Sequence, residues 1–257
     1  MARVRLDSLL AERGLYESRT RAAAAVIAGQ VHLGPGRRRA EKPGQLVDAA
    51  IELEVEGPPP YVSRGGVKLA NALDTLQLEV NARNALDVGA STGGFTDCLL
   101  QRGATHVIAL DVAYGELDYR LREDPRVTVI ERANARAITL DQLPYRPDLI
   151  VIDVSFISLR KVLPAVLATT AERFDCLAMV KPQFEVGRDR IGKGGVVKEG
   201  ALRLEVVNDV AQAAREHGAA VMGSAPSALA GPSGNRETFL WIAEGTRPGG
   251  VAEVEAW

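Results

Sequence analysis

The sequence predicts a doubly wound α/β domain that follows a small α+β domain. Seven short apolar runs with β-strand character recur from residue 85 onward, and segments with helical periodicity fill most of the gaps between them. The small domain is predicted from two short helical segments that are followed by short strands. A length of 257 residues allows such a pair of domains.

Residues 1–57 are predicted to form the small domain. Leucines at helical spacing indicate a first helix over Arg5–Gly14, and a second helix is expected over Ser18–Gly29, with the serine as its cap. QVHL predicts a short strand that is followed by a GPG turn, and a longer strand is expected over Leu46–Val55. Three consecutive prolines then predict a stiff linker over residues 58–63.

Residues 64–257 are predicted to form the large domain. A helix from Gly65 to Leu76 opens it, with leucines along one face. Near-continuous apolar strands follow, as is typical of a sheet that helices cover on both faces. The candidates are ALDVG (85–89), HVIAL (106–110), VTVI (127–130), LIVID (149–153), LAMVK (177–181), AAVMG (219–223) and TFLWI (238–242).

Composition restricts the class of protein. Apolar residues make up 46% and charged residues 25%, as in ordinary globular proteins. No apolar run approaches the ~20 residues that a membrane span needs, and no signal-peptide core is present. The two cysteines, Cys98 and Cys176, lie in no metal or redox spacing. We therefore expect a cytoplasmic protein with no membrane or metal partner.

The charge is unevenly distributed along the chain. Residues 1–40 hold eight arginines against three acids, a balance of +5, which leaves −7 for the rest of a chain whose net charge is −2. Clustered cations are what phosphate contacts require, so this segment indicates a polyanion site. A solvated arginine-rich surface is the alternative.

A glycine-rich turn follows the first strand of the large domain. The segment DVGASTGGFT (87–96) has the spacing G-x-x-x-G-G, which is neither a dinucleotide fingerprint nor a P-loop. Open α/β sheets bind nucleotide-like ligands at such turns. Asp111 ends the second strand, the usual place of a carboxylate that holds ribose hydroxyls. Loop and acid together favour a cofactor site over an empty β–α turn.

This pairing resembles the class I S-adenosylmethionine-dependent methyltransferases. The resemblance implies a Rossmann-like doubly wound sheet with an antiparallel last strand. It also implies that the glycine loop surrounds the methionine part, that Asp111 holds the ribose, and that the segment around Asn134 holds adenine. The cofactor-binding residues implied are Asp87, Gly89, Ala90, Ser91, Gly93, Gly94, Phe95, Asp111 and Asn134.

Charged residues stand where the sheet meets this loop. Asp153 and Lys181 end two strands, and Lys68 lies on the helix before the sheet. Each alone could be a surface charge or a cap. In the methyltransferase topology the antiparallel last strand begins at the same edge, which adds Glu237. The four residues match the Lys-Asp-Lys-Glu tetrad of FtsJ-type ribose 2′-O-methyltransferases.

The resemblance extends along the whole chain. The strings SRGGVKL, DVGASTGGFT, NAR, DVSFISL, VKPQFEVG, GKGGVV and GPSGN are similar to the TlyA (hemolysin A) family of rRNA methyltransferases. It implies 2′-O-methylation of ribose in ribosomal RNA, at a cytidine. Lys181 would serve as a base or as a charged hydrogen-bond donor. A ligand-holding RNA-binding protein without catalysis and a membrane-lytic hemolysin are the alternatives.

The N-terminal segment resembles the S4 RNA-binding domain. The strings that carry this resemblance are RLD (5–7), GL (14–15), SR (18–19), AAAA (22–25) and GQV (29–31). In that family the second helix and the following turn contact the RNA backbone. The implied RNA-binding residues are Arg3, Arg5, Arg19, Arg21, Arg37 and Arg38, with Arg39 beside them.

Overall fold

The computed structural model describes residues 3–57, 60–187, 190–192, 194–231 and 233–257. Pro58 and Pro59 of the predicted linker, Lys193 of GKGGVV and Pro232 of GPSGN lie outside the described residues. The chain divides into two compact units, Met1–Pro60 and Tyr61–Trp257.

The second unit begins inside the predicted linker. The backbone N–H of Val62 donates to the Asp97 carboxylate at 2.8 Å, and the side chains of Tyr61 and Val62 pack against the core of this unit. Residues 61–63 therefore belong to the second unit rather than to a linker over 58–63.

The first unit packs two helices against short antiparallel strands. Its strands are β1 (Arg3–Arg5), β2 (Val31–Leu33), β3 (Arg38–Arg39), β4 (Leu46–Asp48) and β5 (Leu53–Val55). Its helices are α1 (Leu6–Glu12) and α2 (Arg19–Ala28). Strand β1 pairs with β4, and β2 lies between β3 and β5. The predicted cap of α2 is confirmed, since the Ser18 hydroxyl accepts from the Arg21 N–H at 3.2 Å.

One strand prediction for this unit is wrong. The chain turns after Asp48, whose carboxylate accepts from the Ala50 N–H at 2.9 Å, so Leu46–Val55 is two strands instead of one. The two halves also have different partners, since β4 pairs with β1 and β5 pairs with β2. Strands β1 and β3 are not predicted from the sequence, because RVR and RR contain no apolar run.

The second unit is a seven-stranded sheet. Its strands are β6 (Asn84–Val88), β7 (His106–Leu110), β8 (Val127–Ile130), β9 (Leu149–Ile152), β10 (Asp175–Val180), β11 (Ala219–Pro226) and β12 (Thr238–Glu244). Their order is β11-β12-β10-β9-β6-β7-β8, and β12 is antiparallel to both of its neighbours. The predicted doubly wound sheet with an antiparallel last strand is confirmed.

Helices cover both faces of this sheet. They are α3 (Arg64–Leu76), α4 (Gly94–Gln101), α5 (Tyr119–Arg122), α6 (Leu163–Leu167), α7 (Pro182–Glu185) and α8 (Gly200–Glu216). Side chains of β10 alternate between two apolar cores: Cys176 and Ala178 face the core under α8, whereas Leu177 faces the core under α3 and α4. In the described ranges, no helix has the length and apolarity that a membrane crossing requires.

Ion pairs connect the strands at the amino edge of the sheet. Arg83, before β6, donates to Asp148 and to Asp175, both at 3.1 Å. Arg247, after β12, contacts Asp175 at 2.5 Å and Glu244 at 2.8 Å. This amino-edge network therefore ties together the ends of β6, β9, β10 and β12.

Candidate active site

The candidate site lies at the carboxyl edge, where the order of the strands reverses between β6 and β9. Gly89 follows β6 and has φ +86°. A Cβ atom there would lie 2.5 Å from the carbonyl oxygen of Asp153, so the loop can pass the end of β9 only with glycine at this position. The glycine loop and Asp153 are thus neighbours because of the topology.

Asp87 lies behind the loop, in the interior. The hydroxyl of Thr96 donates to its Oδ2 at 2.7 Å, and its Oδ1 is buried without a hydrogen-bond partner among the described residues. Burial raises the pKa of this fully buried carboxyl to about 7, against the opposing hydrogen bond from Thr96. Asp87 therefore supports this segment from within, through Thr96, and lines none of the cavities described below.

A cavity of about 540 Å³ opens beside the loop and is called the Asp111 cavity here. Among the predicted cofactor residues, it is lined by Gly89, Ser91, Asp111 and Asn134. Its wall also includes apolar side chains, among them Val112, Ala133 and Ile157, and the carboxylates of Glu116 and Asp153. The other predicted cofactor residues lie elsewhere: Ala90, Gly94 and Phe95 line a smaller cavity of about 180 Å³, and Gly93 packs against Leu121.

Asp111 and Glu116 accept hydrogen bonds from backbone and side-chain groups at the wall of the Asp111 cavity. Asp111 accepts from the Ser91 N–H and from the Ala113 N–H, both at 2.7 Å. The hydroxyl of Ser91 donates to Glu116 at 3.2 Å. Asn134 accepts from the Arg136 N–H at 3.0 Å and so shapes the turn at the far wall. Sequence reasoning missed Glu116, which stands in no recognisable spacing.

A second large cavity, of about 590 Å³, brings together all four residues of the predicted tetrad and is called the Lys181 cavity here. Lys181 Nζ lies 2.5 Å from Asp153 and donates to the Ser155 hydroxyl at 2.9 Å. Lys68 forms a buried ion pair with Glu237. The tetrad is thus two ion pairs, each of one lysine and one carboxylate.

Asp153 lines all three cavities: the Asp111 cavity, the Lys181 cavity and the smaller cavity of about 180 Å³. Phe156 stands beside it on the wall that the two large cavities share. Its side chain is 91% exposed, and its backbone has the left-handed φ of +64°. Both Ser155 and Phe156 belong to the string DVSFISL, from which the sequence predicts no role for either residue.

Two residues of the GPSGN string, Gly231 and Asn235, shape the surroundings of Glu237. A Cβ atom on Gly231 would lie 2.6 Å from the Glu237 carboxylate, so any side chain here would force the buried, ion-paired Glu237 to move. Asn235, which is buried, accepts from the Val197 N–H at 2.9 Å and donates to the Gly195 carbonyl at 2.8 Å. Asn235 thereby connects two walls of the Lys181 cavity, a role that a single sequence does not reveal.

The predicted RNA-binding arginines lie on the first unit and are exposed. Several also meet acids: Arg5 lies 2.6 Å from Asp7, Arg19 lies 3.6 Å from it, Arg21 contacts Glu17 at 3.2 Å, and Arg37 contacts Glu54 at 2.8 Å. The hydrogen bond from Arg5 lowers the pKa of Asp7 to about 2. Arg3 and Arg38 are exposed as well.

In the described part of the chain, no group of three or more His, Cys, Asp or Glu residues could hold a metal ion.

Comparisons with known proteins agree with this geometry. Residues 61–244 match the model of the family described as FtsJ-like methyltransferase. The 16S/23S rRNA (cytidine-2′-O)-methyltransferase TlyA of Mycobacterium tuberculosis is 47% identical over 93% of this chain and 90% of that protein. YqxC of Bacillus subtilis, provisionally named an rRNA methyltransferase, is 42% identical over 98% of this chain and 90% of that protein. A solved structure from Streptococcus thermophilus, provisionally described as a hemolysin, is 39% identical with a TM-score of 0.74, over 96% of this chain and 90% of that one.

Proposed function

Because the chain belongs to the FtsJ-like methyltransferase family, we propose that it methylates the ribose 2′-hydroxyl of a cytidine in ribosomal RNA, with S-adenosylmethionine as the methyl donor. One observation carries the proposal: the four tetrad residues line a single cavity, which shares Asp153 with the Asp111 cavity. The activity for which the M. tuberculosis relative is named supports the choice of substrate.

The residues of the Asp111 cavity fit S-adenosylmethionine. Its volume of about 540 Å³ suits a small-molecule site. Each Asp111 oxygen already accepts one backbone N–H and has capacity for another donor, so this carboxylate can hold ribose hydroxyls beside Glu116. Val112, Ala133 and Ile157 offer apolar surface to adenine. When bound, S-adenosylmethionine supplies a methyl group that its positively charged sulfur activates.

Lys181 is proposed to contact the methyl acceptor, the ribose 2′-hydroxyl. Lys181 forms an ion pair with Asp153 and donates one hydrogen bond to the Ser155 hydroxyl. A lysine ammonium has three N–H donors, so donor capacity remains for the 2′-hydroxyl oxygen. As a donor, Lys181 stabilises negative charge that develops on this oxygen, and as a base it takes up the hydroxyl proton. In both roles Asp153 fixes the position of Nζ and thereby the position of the acceptor.

Lys68 and Glu237 serve to shape the acceptor site. Their side chains are only 9% and 1% exposed, and each neutralises the charge of the other. Removing either partner would leave an unpaired buried charge, so the two act as a unit. We assign this pair to holding the part of the Lys181 cavity wall that Lys68 and Glu237 line.

The first unit is proposed to bind RNA as an S4-like domain. The side chains of Arg19 and Arg21 are 60% and 70% exposed in spite of their acidic neighbours. The Arg21–Glu17 pair is exposed on both sides and contributes little energy, and the buried Asp7 keeps its closer pair with Arg5 when Arg19 moves away. Both guanidinium groups can therefore be transferred to phosphates at small cost. We place the enzyme in the cytoplasm with the ribosomal RNA that it modifies.

The test is methyl transfer from radiolabelled S-adenosylmethionine to ribosomal subunits. A 2′-O-methyl group protects the adjacent phosphodiester from alkaline cleavage, whereas a methyl group on the base does not. We expect label in alkali-resistant dinucleotides that contain cytidine. Label in ordinary mononucleotides would refute ribose methylation, and cofactor binding without transfer would favour a non-catalytic RNA-binding protein.

A further inference from the structure

Glu185, the last residue of α7, carries a buried carboxylate that the reaction described above does not use. Its Oε2 accepts from the Ser158 hydroxyl at 2.6 Å, and its Oε1 accepts from the Leu159 N–H at 2.7 Å. The residue is 7% exposed. Burial raises the pKa of this carboxyl, while the hydrogen bonds from Ser158 and Leu159 oppose the rise.

These contacts join two segments that both begin at the tetrad. Helix α7 starts directly after Lys181, and the segment 153–159, called the Asp153 loop here, starts directly after β9. Lys181 contacts Asp153 and Ser155 at the near end of both segments. At the far end of both segments, Glu185 of α7 accepts hydrogen bonds from Ser158 and Leu159 of the Asp153 loop. Between the two ties, the rings of Phe156 and Phe184 lie 5.1 Å apart.

The Asp153 loop is the wall that the two large cavities share. Asp153, Ser155 and Phe156 line both of them. The left-handed backbone at Phe156 is unfavourable for a residue with a side chain and persists only where its surroundings impose it. Ser158 and Leu159, two and three residues further on, are the points at which Glu185 holds the loop.

We infer that Glu185 is a positioning residue for methyl transfer. By holding Ser158 and Leu159, it fixes the Asp153 loop so that Asp153 and Lys181 keep one geometry toward cofactor and acceptor. The inference rests on the proposed function. Arg160 adds a weaker contact, since its Nε lies 3.6 Å from the same carboxylate.

The main test compares variants at both ends of the Ser158–Glu185 hydrogen bond. The rate is measured in single-turnover methylation with saturating S-adenosylmethionine and RNA. Glu185→Ala removes both hydrogen bonds and should slow the reaction by about ten- to a hundredfold, the scale of a displacement near the reacting atoms. Ser158→Ala should give a smaller loss in the same direction, and Ser158→Thr, which keeps the hydroxyl, should restore most of the rate. Glu172→Gln, at an exposed position, is the matched control and should leave the rate unchanged.

A second measurement separates positioning from general stability. If Glu185 acts through the Lys181–Asp153 pair, Glu185→Ala should cost less than about twofold in a Lys181→Ala background, since coupled residues are not additive. Equal losses in both backgrounds would overturn the inference. An unchanged rate in both Glu185→Ala and Ser158→Ala would also overturn it. Wild-type protein that transfers no methyl group would instead refute the proposed function itself, and this inference with it.

Discussion

Replacing Asp87 by Asn should change how the stability of the second unit depends on pH. In the wild type a fully buried carboxyl holds one hydrogen bond from Thr96 and has one oxygen without a partner among the described residues. Asn keeps the shape and an oxygen that can accept from Thr96, but it does not ionise. The variant therefore removes the titration and leaves the packing nearly unchanged.

The magnitude follows from the pKa of Asp87, which is about 7 in the folded protein against an ordinary 3.8. Below about pH 4 the carboxyl is protonated in both folded and unfolded chains. Between about pH 4 and pH 7 the unfolded chain has lost this proton and the folded chain retains it, so the stability of the wild type falls as pH rises. Over the whole interval the loss is about 4 kcal/mol, at 1.36 kcal/mol for each pKa unit.

The assay is urea unfolding at pH 5, 6, 7 and 8, followed by tryptophan fluorescence. Both tryptophans, Trp241 and Trp257, belong to the second unit, so the signal reports this unit. The free energy of unfolding of Asp87→Asn minus that of the wild type should rise by about 2–3 kcal/mol between pH 5 and pH 7. Groups common to both proteins cancel in this difference. A difference that does not change with pH would refute the reasoning, since it would mean that Asp87 is ionised throughout.

Three further predictions concern the proposed sites. Asp111→Ala should weaken S-adenosylmethionine binding by about 1.5–3 kcal/mol in calorimetry, the scale of hydrogen bonds to a charged group, and an unchanged affinity would remove Asp111 from the site. Lys181→Ala should slow single-turnover methylation by about 10²–10⁴ with RNA affinity within a few-fold, and Lys181→Arg should not rescue it. A wild-type rate that rises with pH, with the rise absent from Lys181→Ala, would support Lys181 as a base, and a rate that falls at high pH would support it as a charged donor. A near-normal rate in Lys181→Ala would exclude both roles. Replacing Arg19 and Arg21 by Ala should reduce the slope of log K for RNA binding against log salt concentration by roughly 0.7–0.9 for each phosphate that the protein no longer neutralises. Cofactor affinity should not change. An unaltered slope would mean that these arginines are only solvated.

The strands of the large sheet were predictable because parallel strands that are buried on both faces appear as apolar runs. LIVID predicts 149–153, and the strand is Leu149–Ile152. The predicted start of β10 is two residues late, because the strand starts at Asp175. An aspartate in a buried strand contradicts the apolar pattern, and it is tolerated here because Arg83 and Arg247 pair with it.

Three of the tetrad residues could be predicted to lie together because they stand at the ends of predicted strands. Asp153 and Lys181 end two strands, Glu237 precedes a third, and the family topology brings these ends to one edge of the sheet. Glu116, Glu185 and Asn235 were missed because their roles depend on tertiary partners. Glu185, for example, meets Ser158 across 27 positions of sequence. No spacing rule connects such residues, and only the folded chain brings them into contact.

The amino-edge network stabilises one edge of the sheet against local opening. Ionic contacts from Arg83 and Arg247 hold four strand ends on the side remote from the chemistry. Amide hydrogens on that side should therefore exchange with solvent mainly through complete unfolding, whereas those of the glycine loop and the Asp153 loop at the carboxyl edge should exchange through smaller fluctuations. A ligand that binds only the folded protein stabilises it by about 2.7 kcal/mol at a hundredfold excess over its Kd. Much of the protection from exchange that S-adenosylmethionine confers should consequently appear at the carboxyl edge, which makes exchange a direct reporter of cofactor occupancy.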